Sequence, residues 1–303
     1  MYAGANARSA FAGVGDTGRV ESPRPTFPNH ASKYGGTPLI RPEVIVSRLF
    51  GDQQHVVPTS VILGYSARLR PMLRERGLVL LSGYSAPWHS MWLPEGEPVA
   101  TVGVVEGFGF GAPGAAIVIE ELVALGTRRI VNLGLAGGLA VDVGFGDLVL
   151  CSGAIRDEGV SHHYVPPARL AHPSVTLTDE LRAALTEREE TFVEGRTWTV
   201  DAIYRETLEE ALAYRDDGVI TVEMEAAALF TIGAVRGVDV AAIFAISDHL
   251  LAAPQWQAAP DKSVLNDGLR RGLDVALSVL SPGGHFEARA VDEVAEESPS
   301  PFA

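Results

Sequence analysis

The sequence predicts a single three-layer α/β/α domain with a central mixed, twisted sheet, and three observations predict it. Short runs that are apolar on both faces recur along the chain, amphipathic stretches of eight to eighteen residues separate them, and Gly or Pro punctuates the junctions. A strand that is apolar on both faces has to be covered on both, and helices on each side of a sheet achieve this repeatedly.

In chain order, residues 60–64, 78–82, 99–105, 130–133, 147–151, 191–197 and 238–246 read as strands. Residues 67–76, 114–125, 178–190, 207–214, 223–235 and 263–280 read as helices. Pro113 stands where the second helix begins, a position that tolerates a residue with no N–H. Gly126 follows the same helix and suits a left-handed cap. Residues 1–40 carry Gly, Pro, Ser and Asn without periodicity and are expected to form a flexible or peripherally docked arm. The domain is placed at 41–283, and 284–303, rich in Glu and closing on Ser-Pro-Ser-Pro, as an acidic disordered tail.

Composition narrows the function. Of 303 residues, 24 are Lys or Arg and 38 are Asp or Glu, giving a net charge of −14 that repels phosphate backbones and argues against general nucleic-acid binding. One cysteine, Cys151, leaves no disulfide framework, and its apolar strand suggests that it is simply packed. Neither a membrane span nor a secretory leader is read, so a cytoplasmic protein is expected, without a metal site and without a cofactor.

Ligands of α/β sheets bind beyond the carboxyl ends of the strands, and polar or glycine-rich segments follow most runs here. Gly64-Tyr65-Ser66-Ala67-Arg68, Gly107-Phe108-Gly109-Phe110-Gly111, Asn132-Leu133-Gly134-Leu135-Ala136-Gly137-Gly138, Arg156-Asp157-Glu158 with Ser161-His162-His163-Tyr164, and Ser247-Asp248-His249 are these segments, and several of them are expected to converge on one pocket. The segment 107–112 also fits G-x-G-x-x-A, a dinucleotide fingerprint. The next strand ends on Asn132 with no carboxylate for a ribose diol, so a close approach of ligand or backbone is the preferred reading. Glu223 and Glu225 are read as opening a helix, where acids suit the positive dipole end. Two apart on a helix they diverge by roughly 200°, so only one of them can face a given cavity.

Three motifs in sequence then resemble one family. Gly134-Leu135-Ala136-Gly137-Gly138 with Gly146-Asp147, Val222-Glu223-Met224-Glu225-Ala226, and Ile246-Ser247-Asp248-His249 resemble the nucleoside phosphorylases and nucleosidases. That family groups purine nucleoside phosphorylases, uridine phosphorylases and methylthioadenosine/adenosylhomocysteine nucleosidases.

The resemblance implies roles. Glu225 accepts hydrogen bonds from the ribose hydroxyls, Met224 packs on the sugar, Glu223 supports, and Leu135, Ala136 and Gly137 line the substrate. Asp248 is implied as the catalytic acid that protonates or hydrogen-bonds the base at N7, with Ser247 or a water as its helper. Uridine-specific relatives carry Gln and Arg where Thr207 and Glu209 stand, so a purine-type base is implied, with Tyr204 placed to stack on it or to pack in the core. Gly64 and Arg68 match phosphate-binding positions. Asn132 and Leu135 stand where phosphorylases have Arg and Ser or Thr. Arg70, Arg74, Arg76 and Arg156 are candidates for the missing charge. The implied activity is phosphorolysis of a purine-type nucleoside to base and pentose 1-phosphate, with inorganic phosphate as co-substrate. A hydrolytic nucleosidase and a silent nucleoside-binding protein are the alternatives. A homodimer or hexamer is implied, and Met91 with Trp88 and Trp92 forms an apolar group suited to an interface, a lid or the core.

Overall fold

The computed structural model describes residues 29–30, 32–50, 57–81, 89–96, 100–251 and 256–281. The acidic tail and residues 1–28 of the arm lie outside them, as does Trp88. Asn29 and the Tyr34 hydroxyl both donate to the His162 carbonyl, which docks this part of the arm on the domain.

After α1 (Pro42–Phe50), the chain forms β1 (Ser60–Gly64), α2 (Leu69–Glu75), β2 (Leu78–Leu80), β3 (Ser90–Pro94) and β4 (Val102–Glu106). It continues through α3 (Ala112–Leu125), β5 (Arg129–Gly138), β6 (Leu148–Asp157), β7 (Leu170–Ala171) and α4 (Val175–Glu187). Next come β8 (Phe192–Val200), α5 (Leu208–Asp216), β9 (Val219–Glu223) and α6 (Ala226–Arg236). The last elements are β10 (Asp239–His249), β11 (Gln257–Ala258) and α7 (Lys262–Leu280).

The strands form one mixed sheet, with β4, β1, β5 and β10 parallel in succession. Because β10 also pairs antiparallel with β6, and β6, β8 and β9 lead back to β5, five strands close on themselves. Every residue of β1 and β4 is buried, as expected of strands covered on both faces. One layer packs Leu69, Leu73, Leu177, Leu181, Leu273 and Leu277 from α2, α4 and α7 against the sheet. The other packs Ala115, Ile119, Leu122, Leu229 and Phe230 from α3 and α6. Each fully buried Leu or Phe contributes about 1.5–3 kcal/mol through area removed from water.

Local signals set the helix ends. Gly126 takes φ +113° and its N–H donates to Leu122 and Val123 carbonyls, closing α3. The Ser174, Thr207 and Asp261 side chains cap α4, α5 and α7. α7 lies close on the sheet because Gly268 has no side chain: a Cβ there would meet the Gly146 carbonyl at 2.6 Å.

Two expectations need correction, and one left open is decided. Residues 223–235 are not one helix, since Glu223 ends β9 and α6 begins at Ala226, so the 200° argument does not apply. Val219–Glu223 and Ser90–Pro94 are strands that the periodicity did not separate from their surroundings. Met91 and Trp92 belong to β3 and are buried, so of the three roles offered for that group they take the core. β10 also carries a register shift against β5 between Ile246 and Asp248, so Ser247 is an extra residue in the ladder.

Candidate active site

The parallel strands β1, β4, β5 and β10 all point their carboxyl ends to one edge of the sheet, and the segments leaving them meet there. Together with the end of β9 and residues 203–207 they enclose a cavity of about 1170 Å³. Leu135, Ala136, Gly137, Tyr204, Glu223, Met224, Glu225, Ser247 and Asp248 all line it, so nine of the residues singled out in the sequence share one cavity.

Glu223 is fixed from three sides. Its Oε2 accepts the N–H groups of Glu225 and Ala226, each at 2.8 Å, and its Oε1 accepts the Thr199 hydroxyl at 2.5 Å. A carboxylate at the exposed N–H groups of α6 satisfies both the orphan donors and the helix dipole. That leaves Glu225 free to turn elsewhere. It sits at the cap of α6 with φ −134° and ψ −33°, and its Oε1 accepts the Gly111 N–H. The glycine segment makes this contact available, since Gly107, Gly109 and Gly111 all adopt positive φ and carry the backbone in toward α6.

Asp248 stands across the cavity mouth on the extra-residue stretch of β10. Its Oδ1 accepts the Ser247 hydroxyl and its Oδ2 accepts the Trp256 indole N–H at 2.8 Å. Gly137 packs close beneath this corner: a Cβ would lie 2.5 Å from Leu250 and 3.1 Å from Asp248 Oδ2, so a side chain there would displace both. Trp256 carries no motif in the sequence, and only its tertiary contact reveals it. Glu206 is likewise a cavity residue that sequence reasoning passed over in favour of Thr207 and Glu209. Burial, followed by the charges of Asp248 and Glu210, raises its carboxyl to about 7. Tyr204 is 96% exposed, which excludes the core role offered for it.

The anticipated phosphate residues are placed differently. Gly64, Arg68 and Asn132 do not line the cavity. Arg68 donates to Asn266 at 3.2 Å, beside the mouth, where its N–H also contacts the Ser66 hydroxyl. Asn132 is fully buried between Leu63 of β1 and Ala242 of β10, and its amide has no partner among the described residues. The four arginines considered as substitutes are engaged elsewhere. Arg70 grips Glu106, Arg74 lies over Trp92, Arg76 pairs with Asp274, and Arg156 holds Ser161 and the Pro166 carbonyl. The cation that does line the cavity is Arg215, which also pairs with Asp216.

Glu223 and Glu225 both titrate above the ordinary carboxylate range. Burial is the main cause for each, and the charge of Glu223 adds to it for Glu225. A pair this close shares protons as a unit. Between the ordinary carboxylate value of 4.5 and about 8, the folded state therefore binds more protons than the unfolded chain, so stability falls as pH rises through that window. The melting temperature of the free protein is expected to be lower at pH 8 than at pH 5.5, and Glu225→Gln is expected to flatten the dependence. An equal slope in both proteins would refute the assignment.

A family model described as the phosphorylase superfamily matches residues 95–281. The guanosine phosphorylase of Halorubrum lacusprofundi is 30% identical over 176 residues, 57% of this chain and 73% of its own. A purine nucleoside phosphorylase, DeoD-type, of Exiguobacterium sibiricum is 30% identical over 179 residues, 58% of this chain and 75% of its own. Among solved structures, uridine phosphorylase from Vibrio fischeri superposes with a TM-score of 0.64 at 25% identity, covering 75% of this chain and 93% of that one. AMP nucleosidase from Bacteroides thetaiotaomicron shares the fold, with a TM-score of 0.63 at 21% identity over 79% of this chain and 96% of that one.

Proposed function

Because the chain belongs to the phosphorylase superfamily, we propose that it is a pentosyltransferase that cleaves the N-glycosidic bond of a purine-type nucleoside, with inorganic phosphate as nucleophile, to give the free base and a pentose 1-phosphate. The observation that carries this reading is the shared cavity of Glu225 and Asp248, two acids from different elements on one wall system. The purine phosphorylases among the relatives support the choice of base.

Breaking the bond builds positive charge on the sugar and negative charge on the leaving base, as in glycosyl transfer generally. Glu225, with Oε1 anchored by Gly111, presents its remaining acceptor sites to the sugar hydroxyls, and Met224 packs against the sugar. Asp248 hydrogen-bonds the base at N7 and passes it a proton as the bond opens. Glu206, whose carboxyl burial raises to about 7, lines the same cavity near enough to Asp248 to feel its charge. Leu135, Ala136 and Gly137 form the floor, and Tyr204 lies on the base.

A second reading, with water as nucleophile, has an observation of its own. Among the described residues, Glu206, Glu223, Glu225 and Asp248 face the cavity against a single lining guanidinium, Arg215, and a phosphate with up to two negative charges favours bidentate Arg donors. The unit at work is residues 41–283, acting in the cytoplasm as a closed homodimer or hexamer. No helix among the described residues is long and apolar enough to cross a membrane.

The test is product identification with a nucleoside panel, with and without phosphate. Phosphate-dependent release of base with pentose 1-phosphate is expected. Free pentose at a rate indifferent to phosphate would select the hydrolytic reading, and no turnover in either condition would overturn both.

A further inference from the structure

We propose that the base of the true substrate carries an apolar group at C6, received by a chamber between α5 and the end of β10. This rests on the reading of Asp248 as the partner of N7. The cavity, at about 1170 Å³, exceeds the roughly 300–1,000 Å³ that suits drug-sized ligands, so an unsubstituted nucleoside fills only part of it. The surplus has a direction. Next to Asp248 around Gly137 stand Val222 of β9 and Leu250 after β10, and Leu251 with Leu208, Ala211 and Leu212 of α5 line the same cavity, with Arg215 at the far end of that helix face. These walls continue into the apolar cluster around Trp198 and Val219, so they are backed by core. Leu208 is 61% exposed and Ile203 54% exposed at the edge of the same space, and apolar surface left wet in this way is stabilised when a ligand covers it.

The chemistry of a purine connects the chamber to the site. N7 and the C6 substituent lie on one edge of the ring system, so a base held at N7 by Asp248 points its C6 group past that carboxyl and between the leucines. Glu206 lines the same cavity, close enough to Asp248 for the two charges to interact. A 6-alkylamino group satisfies both features, with its single N–H donated to Glu206 and its alkyl arm in the chamber. A polar arm would lose its water against walls that, Arg215 aside, are mostly leucine.

The experiment compares adenosine, N6-methyladenosine and N6-benzyladenosine as substrates of the full chain. Each buried methylene is worth about 0.8 kcal/mol, close to fourfold, so kcat/KM for the benzyl compound is expected to exceed that for adenosine by about tenfold or more. In Leu208→Asp, at an exposed position, the ratio of the two values is expected to collapse toward one. Adenosine cleaved as well as or better than both N6-substituted compounds would overturn the chamber while leaving the glycosidic activity intact. Should none be cleaved, the activity reading fails, and calorimetry with the free bases decides the chamber alone: tighter binding of N6-benzyladenine than of adenine supports it, and equal binding overturns it.

Discussion

Replacing Asp248 by Asn is expected to lower kcat/KM for a purine nucleoside by about 10²–10⁴-fold, the range that general acid catalysis supplies. The amide keeps the shape of the side chain and an acceptor for the Trp256 indole, so the loss falls on proton delivery rather than on the wall of the cavity. A second substrate separates the two. A nucleoside methylated at N7 already carries the positive charge that protonation would create, so its base departs without an acid. Asp248→Asn is therefore expected to cleave a 7-methylpurine nucleoside at close to the parent rate while failing on the unmethylated one. Steady-state kinetics on the two substrates check this, and equal losses on both would remove Asp248 from the role of acid. Trp256→Phe, which deletes one hydrogen bond to a charged acceptor, is expected to cost less, on the order of tenfold.

The second large effect is on stability. Glu223→Ala removes the acceptor for the Thr199 hydroxyl and for two backbone N–H groups at the start of α6, all in a buried setting. Each buried donor left unsatisfied costs about 1–3 kcal/mol, and a loss of about 3–5 kcal/mol is expected overall. For a chain of this length that corresponds to a melting temperature lower by roughly 10 °C. Glu223→Gln retains one acceptor oxygen and the volume, and is expected to lie between the parent and the alanine variant. Calorimetric melting at pH 6 checks the order, and an unchanged melting temperature in Glu223→Ala would show that the α6 cap is not held this way.

The unequal legibility of these residues has physical reasons. β1, β4, β5 and β10 were readable because strands buried on both faces leave uninterrupted apolar runs, and α3 because Pro113 and Gly126 mark its ends. β9 was hidden because Val219–Glu223 is short and its alternation merges with the alanine-rich start of α6, so a helix seemed to begin early. That error reversed the geometry of the two glutamates. As strand end and helix cap they divide the work, one closing α6 and the other meeting Gly111, which helix periodicity does not convey. Glu225, Met224 and Asp248 were found through motifs. Trp256 and Glu206 were not, since each acts through a neighbour distant in sequence and neither stands in a recurring pattern. Arg70, Arg74, Arg76 and Arg156 do not line the cavity, and each meets a partner brought by the fold, which the sequence conceals.

The additional residue at Ser247 ties the chemistry to chain length. Pairing between β10 and β5 runs without interruption from Asp239 to Ile246 and resumes at Asp248 against Gly137. Deleting Ser247 would let the ladder continue in phase, and a shift of one residue turns every following side chain to the opposite side. The acid would then be aimed at the layer containing α7, with its identity and its neighbours in sequence unchanged. A chain one residue shorter at this point would keep the Asp and turn its carboxyl away from the cavity that Glu225 lines.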